Sequence, residues 1–271
     1  MYWDTHMHSS FSGDSSSTPE SMVQAAIAKG LLGICFTDHM DYDYPANPQD
    51  PAIFEFDPAA YNSAIHNLQH KYAGRLPVFY GIELGLQPHL AKKHAQLLQA
   101  YPFDFVIGSS HVVHGKDPYY ASYYEGRSEE DAYQEYFASI LENIDAFQDF
   151  DVYGHIDYVV RYGPNKNAHY SYEKYAEVLD AVLKKLIGLG KGIEVNTAGF
   201  KYGLGHPNPC EAILKRYRAL GGEILTLGAD AHQPEHVAYG FDRLAGLLEA
   251  CGFSYYTVFK NRKAEFVSLS K

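Results

Sequence analysis

The chain has 271 residues, is 46% hydrophobic and 20% charged, and carries a formal net charge of −11. That balance suits a soluble globular protein, and the length suits one barrel domain spanning residues 1–271. The acidity argues against long nucleic acids and anionic membranes as partners, and neither a signal peptide nor an apolar run of about 18 residues is present.

Apolar runs alternate with helical patterns along the whole chain. A strand over 2–6 precedes a helix over 19–29, for which Thr18 supplies the N-cap, Pro19 the first helical position and Gly30 the stop. A strand over 32–37 leads through an irregular stretch, 40–57, into a helix over 58–73 opened by Asp57-Pro58. The strand over 76–82 is followed by a helix over 88–100, and the strand over 104–109 by a second irregular stretch, 112–128, and a helix over 129–147. Strands over 151–155, 192–196 and 223–229 are followed by helices over 172–189, 209–220 and 234–250. Strand-like runs over 254–259 and 264–268 fall in the last segment, which closes or flanks the barrel.

Strands separated by helices of about 12–18 residues imply right-handed βαβ units and a parallel sheet. Seven such units, without a Gly-x-Gly-x-x-Gly turn after the first strand, favour an α/β barrel of the (β/α)₇ type over a dinucleotide-binding sheet. Both irregular stretches follow strand ends, so both are expected over the active face. The tyrosines of 119–124 in the second read either as an ordered surface loop or as a lid.

Seven short segments end alike, in a few apolar residues and then His, Asp, Glu or Asn. They are Asp4-Thr5-His6-Met7-His8, Phe36-Thr37-Asp38-His39, Tyr80-Gly81-Ile82-Glu83, Gly108-Ser109-Ser110-His111, Tyr153-Gly154-His155-Ile156-Asp157, Glu194-Val195-Asn196 and Gly228-Ala229-Asp230-Ala231-His232. Imidazole and carboxylate are ligands shared by Zn²⁺, Mn²⁺ and Fe²⁺. Alternation along an extended strand puts His6 and His8 on one side as a chelating pair. The three cysteines, Cys35, Cys210 and Cys251, are far apart and form no Cys-x-x-Cys, which speaks against a thiolate site or disulfide framework and for a reducing cytoplasm.

In order and spacing these segments resemble the motifs of the polymerase and histidinol phosphatase (PHP) family over residues 2–243. The resemblance implies a distorted (β/α)₇ TIM-like barrel with up to three divalent metal ions (Zn, Mn or Fe) at the C-terminal strand ends. Carried over, His6, His8, Glu83 and Asp230 would hold one ion. Glu83 would bridge to a second held by His111 and His155, and Asp14, His39 and His232 would hold a third. Many members have histidine where this chain has Asp14; the Ser-Gly-Asp-Ser form is similar to the monofunctional histidinol-phosphatase branch. The implied reaction is hydrolysis of L-histidinol phosphate to L-histidinol and phosphate, a late step of histidine biosynthesis.

Three ions against three carboxylates leave a site of about +3, which draws a phosphate dianion despite the acidic surface. Paired ions also lower the pKa of a bridging water and clamp phosphoryl oxygens. Arg161, just after a ligand-bearing strand, is the expected phosphate-binding arginine, since guanidinium grips phosphate bidentately. Lys201 is a second phosphate candidate, although the family often has Arg-Lys where this chain has Lys201-Tyr202. His206 and His114 follow strand-end motifs and are weighed as substrate contacts; His66, His70, His89, His94, His169 and His236 are read as structural or solvated. Asp38 and Asp157 adjoin ligand histidines and either orient an imidazole or cap the next helix. Asp41, Asp43 and Asp117 are candidate partners for a substrate amine. The rival readings are a PHP phosphoesterase acting on nucleotides or another small phosphate ester, an amidohydrolase-type metal hydrolase, and a non-catalytic PHP module.

Overall fold

Strands β1 (Trp3–Met7), β2 (Gly33–Phe36), β3 (His39–Met40), β4 (Val78–Gly85), β5 (Phe105–Ser109), β6 (Val152–Tyr153), β7 (Gly192–Asn196) and β8 (Leu225–Gly228) form a parallel sheet in a computed structural model that describes residues 1–46 and 53–269. Their order is β1-β2-β4-β5-β6-β7-β8, with the two-residue β3 continuing the β2 edge against β4. The two outer strands meet. Asp230 N–H donates to His6 O at 2.9 Å, His8 N–H donates to Ala231 O at 2.9 Å, and Met7 bridges Ala231 in parallel register. Seven strands thus curl nearly into a barrel, the expected α/β architecture. Strands enclosed on both faces are continuously apolar except at their ends; in β4 only Phe79 is more than marginally exposed.

Helices α1 (Pro19–Ala28), α2 (Pro58–Lys71), α3 (Ala91–Ala100), α4 (Glu129–Ala146), α5 (Ala176–Gly188), α6 (Ala198–Lys201), α7 (Glu211–Ala219) and α8 (Leu244–Ala250) complete the crossovers. Two carry the caps their sequences foretell, Thr18 accepting from Ser21 N–H and Asp57 from Ala59 N–H, and in α4 Ser128 accepts from Asp131 N–H. Helix α5 buries Val178, Leu179, Val182, Leu183 and Leu186, the spacing of one face.

Differences from the sequence reading are local. The expected helix over 234–250 is broken into 3₁₀ turns at Pro234–His236 and Phe241–Arg243 before α8, because Gly240 takes a left-handed conformation between them. The helices expected at 88 and 172 begin as 3₁₀ turns. Both β3 and α6 are too short for periodicity to reveal.

The terminal runs pair as an antiparallel hairpin, β9 (Tyr255–Lys260) and β10 (Lys263–Ser268), turned by Asn261 and Arg262 in left-handed conformations. It packs at the N-terminal end of the barrel, where Thr257 Oγ1 accepts from Leu225 N–H at 3.2 Å and Arg262 Nε donates to Asp151 at 2.6 Å. The opposite end, where the strands finish, is left for the two long loops. Of the first loop, residues 47–52 lie outside the described residues. Among the described residues no helix is long and apolar enough to cross a membrane, and Cys35, Cys210 and Cys251 are free thiols.

Candidate metal centre

Each motif delivers its side chain from the C-terminal end of a strand, and the ends converge. Glu83, fully buried on β4, lies at the centre. Its Oε2 is 3.2 Å from His6 Nε2 and 3.6 Å from His8 Nε2; both nitrogens also approach Asp230 Oδ1, at 3.8 and 3.3 Å. Its other oxygen, Oε1, is 3.3 Å from His111 Nε2 and 3.0 Å from His155 Nε2. At the mouth, Asp14 Oδ2 is 3.0 Å from His232 Nε2 and 3.8 Å from His39 Nε2, while His39 Nδ1 is 2.9 Å from Glu83 Oε2. All nine residues singled out in the sequence as metal ligands are therefore brought together, in three groups joined through Glu83 and His39.

The outer faces of four imidazoles are held. His6 Nδ1–H donates to Glu194 Oε1 at 2.5 Å, and His111 Nδ1–H to Asp41 Oδ2 at 2.7 Å. His8 Nδ1–H donates to Ser12 Oγ at 3.1 Å, whose own hydroxyl donates to Asp38 at 2.7 Å. His232 Nδ1–H donates to Asp230 O at 3.1 Å. Each bond fixes the tautomer that leaves Nε2 as an inward lone pair, the arrangement of metal-binding histidines. Asp38 thus acts on His8 only through Ser12. Asp157 touches no imidazole and makes no side-chain cap. Glu194, Asp41 and Ser12 were not picked out as orienting partners; the only signal was a strand-end Glu-x-Asn and polar residues beside ligand motifs.

The donors suit a cation. His6 Nε2 faces His8 Nε2 at 3.1 Å, and His111 Nε2 faces His155 Nε2 at 3.4 Å. Metal–nitrogen bonds of about 2.0–2.1 Å at tetrahedral angles put neighbouring ligand atoms about 3.4 Å apart. Among the described residues, the buried atoms Glu83 Oε2, His39 Nδ1 and His232 Nε2 have close neighbours but none at hydrogen-bonding angles, and such groups are costly unless something satisfies them. Burial pushes the Glu83 carboxyl up, but His6, His111 and His39 outweigh it and hold it well below the usual range. Burial likewise opposes charge on His39, yet Glu83 and Asp14 raise it to about 9. The cluster already attracts positive charge.

Above these groups lies a cavity of about 310 Å³. Arg161, buried in a 3₁₀ turn after β6, lines it, and all three of its nitrogens are anchored. Nε donates to Asn208 Oδ1 at 2.8 Å, Nη2 to Asn196 Oδ1 at 2.8 Å, and Nη1 to Asp230 Oδ2 at 2.9 Å. Lys201 lines the cavity too, its ammonium 5.4 Å from the centre of the Tyr202 ring. Tyr44 and Phe54 form one wall and Tyr119, Tyr158, Tyr162 and Tyr202 another, so described residues of both long loops do stand over the active face. Asp117 lines the cavity between Tyr44 and Tyr119, its carboxylate accepting from Tyr44 Oη at 2.5 Å and Tyr119 N–H at 2.7 Å. Burial pushes it up to about 6.

Some expectations are not met by this geometry. His206 is absent from the cavity wall; its Nδ1–H turns back to Pro207 O at 2.7 Å. His114 is exposed between Glu135 and Glu142. His236, read as structural, lines the cavity because the break in the helix over 234–250 turns it inward. Of the acids weighed for an amine, Asp41 is committed to His111 and Asp43 pairs with His89 outside the wall, which leaves Asp117.

The model of the PHP domain matches residues 4–198. The chain belongs to the PHP domain family. A PHP relative from Lactococcus lactis, named histidinol-phosphatase, is 31% identical over 96% of this chain and 97% of its own length. A Deinococcus radiodurans protein named probable histidinol-phosphatase is 32% identical over 97% and 98%. The solved structure of the L. lactis histidinol phosphate phosphatase, complexed with zinc, L-histidinol and phosphate, is 29% identical, with a TM-score of 0.89 over 98% of this chain and all of that one. A structure from Listeria monocytogenes, 19% identical with a TM-score of 0.78, shares the PHP barrel.

Proposed function

We propose that this PHP protein is a metal-dependent phosphomonoesterase that hydrolyses L-histidinol phosphate to L-histidinol and phosphate, as the step in histidine biosynthesis that the resemblance implies. The observation that carries the reading is the meeting of nine imidazole and carboxylate donors with an anchored arginine at one cavity. The full-length match to a relative named histidinol-phosphatase supports the substrate.

His6, His8, Glu83 and Asp230 would hold one divalent ion, Glu83 with His111 and His155 a second, and Asp14, His39 and His232 a third. The donor set accepts zinc, manganese or iron, and zinc is the ion in the L. lactis protein. Bound there, such ions bring the pKa of a water towards neutrality and offset charge on the phosphoryl oxygens. Arg161 uses three of its five N–H groups on Asn208, Asn196 and Asp230, which leaves two to grip phosphate oxygens. Lys201 adds a second positive charge on the same side. Asp117, an anion above about pH 6 and on the wall of the same cavity, pairs with the substrate amine. The aromatic walls exclude water and cover the apolar part of the alcohol.

The test is phosphate release by metal-loaded protein from histidinol phosphate beside a panel of mononucleotides, with Glu83→Ala as control. Preference for histidinol phosphate, lost in the variant together with bound metal, is the expected result. Release from nucleotides alone would move the protein to the nucleotide reading. No release from any ester, with metal bound, would sink the phosphatase reading.

A further inference from the structure

Asp157 is fully buried, sits two residues after His155, and is used neither by an imidazole nor as a helix cap. Its Oδ1 accepts from Asn208 Nδ2 at 2.6 Å; its Oδ2 accepts from Cys210 N–H at 3.0 Å and from Tyr170 Oη at 3.2 Å. Asn208 is also fully buried, and its backbone pairs with Asn196 in both directions at 2.8 Å. Its side-chain oxygen accepts from Arg161 Nε at 2.8 Å.

These contacts form a relay with a defined sense. An amide has a donor end and an acceptor end, and the two can exchange by a flip. The Asp157 carboxylate accepts from three donors, and its backbone oxygen takes a longer bond from the same Asn208 Nδ2 at 3.4 Å, so Asp157 holds the NH₂ of Asn208 toward itself and the amide oxygen toward Arg161. Arg161 Nε–H in turn needs an acceptor. If Asn208 flipped, two donors would oppose each other in a buried space, where an unsatisfied donor is expensive. We propose that Asp157 is a positioning residue for the phosphate pocket: through Asn208 it fixes the plane and rotation of the Arg161 guanidinium. The remaining two corners of the fork are set by Asp230 and by Asn196, whose own amide donates to Asp230 Oδ2 at 3.3 Å, so Asp157 controls the one corner not tied to a candidate metal ligand.

The proposal rests on the reading of Arg161 as the phosphate grip. It gives a role to an aspartate whose neighbour in sequence is a candidate ligand but whose own contacts lead away from the metal site. Outer-shell partners of this kind typically change affinity or activity by about 10- to 100-fold.

Asp157→Asn is nearly isosteric and lets Asn208 flip. It should be made alone and with Arg161→Ala, and each protein characterised by the competitive Ki of inorganic phosphate, kcat and KM for histidinol phosphate, bound metal per chain, and Tm. The expected result for D157N is a phosphate Ki and substrate KM raised about tenfold, with bound metal at the wild-type level. In the R161A background the same substitution should change the Ki less than twofold, because the group it positions is gone. An equal effect in both backgrounds, or lost metal in D157N, would make Asp157 a general structural residue and overturn the proposal. An unchanged Ki in a folded D157N would do the same. An unchanged Ki in R161A itself would remove the phosphate reading of Arg161, and this inference with it. Asn208→Ala cuts the relay from its other side and carries the same comparison if D157N fails to fold.

Discussion

Arg161 and Asp230 share one carboxylate between two tasks: Oδ2 accepts from Arg161 Nη1 at 2.9 Å, while Oδ1 faces His8 Nε2 at 3.3 Å. The proposed phosphate grip and the candidate metal centre are therefore mechanically joined at a single side chain. Asp230 takes up this place with a left-handed backbone, φ 52°, that few non-glycine residues adopt.

Arg161→Lys should separate the two tasks. A lysine ammonium keeps the charge but cannot reach Asn208, Asn196 and Asp230 together, and each buried amide oxygen left unpaired costs about 1–3 kcal/mol. The expected outcome is a fall in kcat/KM of at least about 100-fold, measured by steady-state phosphate release. A variant within a few-fold of wild type would exclude any need for the planar fork.

Glu83→Gln keeps the shape of the central side chain and removes its charge. Both Glu83 oxygens face imidazole nitrogens, so bound metal should fall for more than one group at once. Activity should fall by more than the 10- to 100-fold typical of outer partners. Metal analysis of the purified variant checks this; a full metal complement would show that Glu83 is not a bridge.

Asp117 should make substrate affinity and stability pull in opposite directions with pH. Its carboxyl is raised to about 6 by burial, above the ordinary value of 3.8. A raised pKa means that the protonated form is favoured in the fold, by about 3 kcal/mol. This contribution is complete below about pH 3.8 and is lost as pH rises through 6. Asp117→Asn should thus raise stability at pH 7.5 and change it little at pH 4, read by denaturant titration. KM for histidinol phosphate should climb below pH 6 in the wild type, and that inflection should vanish in the variant.

Gly228→Ala tests a close approach. A Cβ there would lie 2.3 Å from His6 Cβ and 2.4 Å from Glu194 Oε1, so it would push apart the pair that orients His6. Overpacking of this kind costs about 1–3 kcal/mol. A lower Tm together with weaker metal retention is expected; a lower Tm with metal retention intact would place the strain elsewhere.

The ligands were legible in the sequence because strand periodicity and side-chain chemistry both leave local traces. His6-Met7-His8 and Asp230-Ala231-His232 announce themselves within a few residues. Their supports do not. Glu194 reaches His6 across 188 residues of sequence, and Asn208 reaches Arg161 across 47. Such pairings depend on strand order and loop path, neither of which a local pattern encodes. His206 and His236 show the same limit: His206 turns back to Pro207 O in the loop after β7, and His236 meets the cavity in a 3₁₀ turn after β8 that periodicity does not reveal. Asp38 and Asp157 read either as imidazole partners or as helix caps; in the fold Asp38 reaches His8 through Ser12, and Asp157 bonds Asn208, Cys210 N–H and Tyr170.

The seam between β1 and β8 places the two ends of the donor set side by side. A ribosome that has delivered everything through β7 has supplied seven of the nine donors but neither Asp230 nor His232. At that stage β1 still has an open edge, and Arg161 lacks the carboxylate that neutralises it. The first and third groups then each lack a member, while Glu83, His111 and His155 of the second are already in the chain, so a full metal complement belongs to the chain that includes the last barrel strand. Fragments ending before Leu225 should take up less metal than the whole chain even with His6, His8 and Glu83 all present.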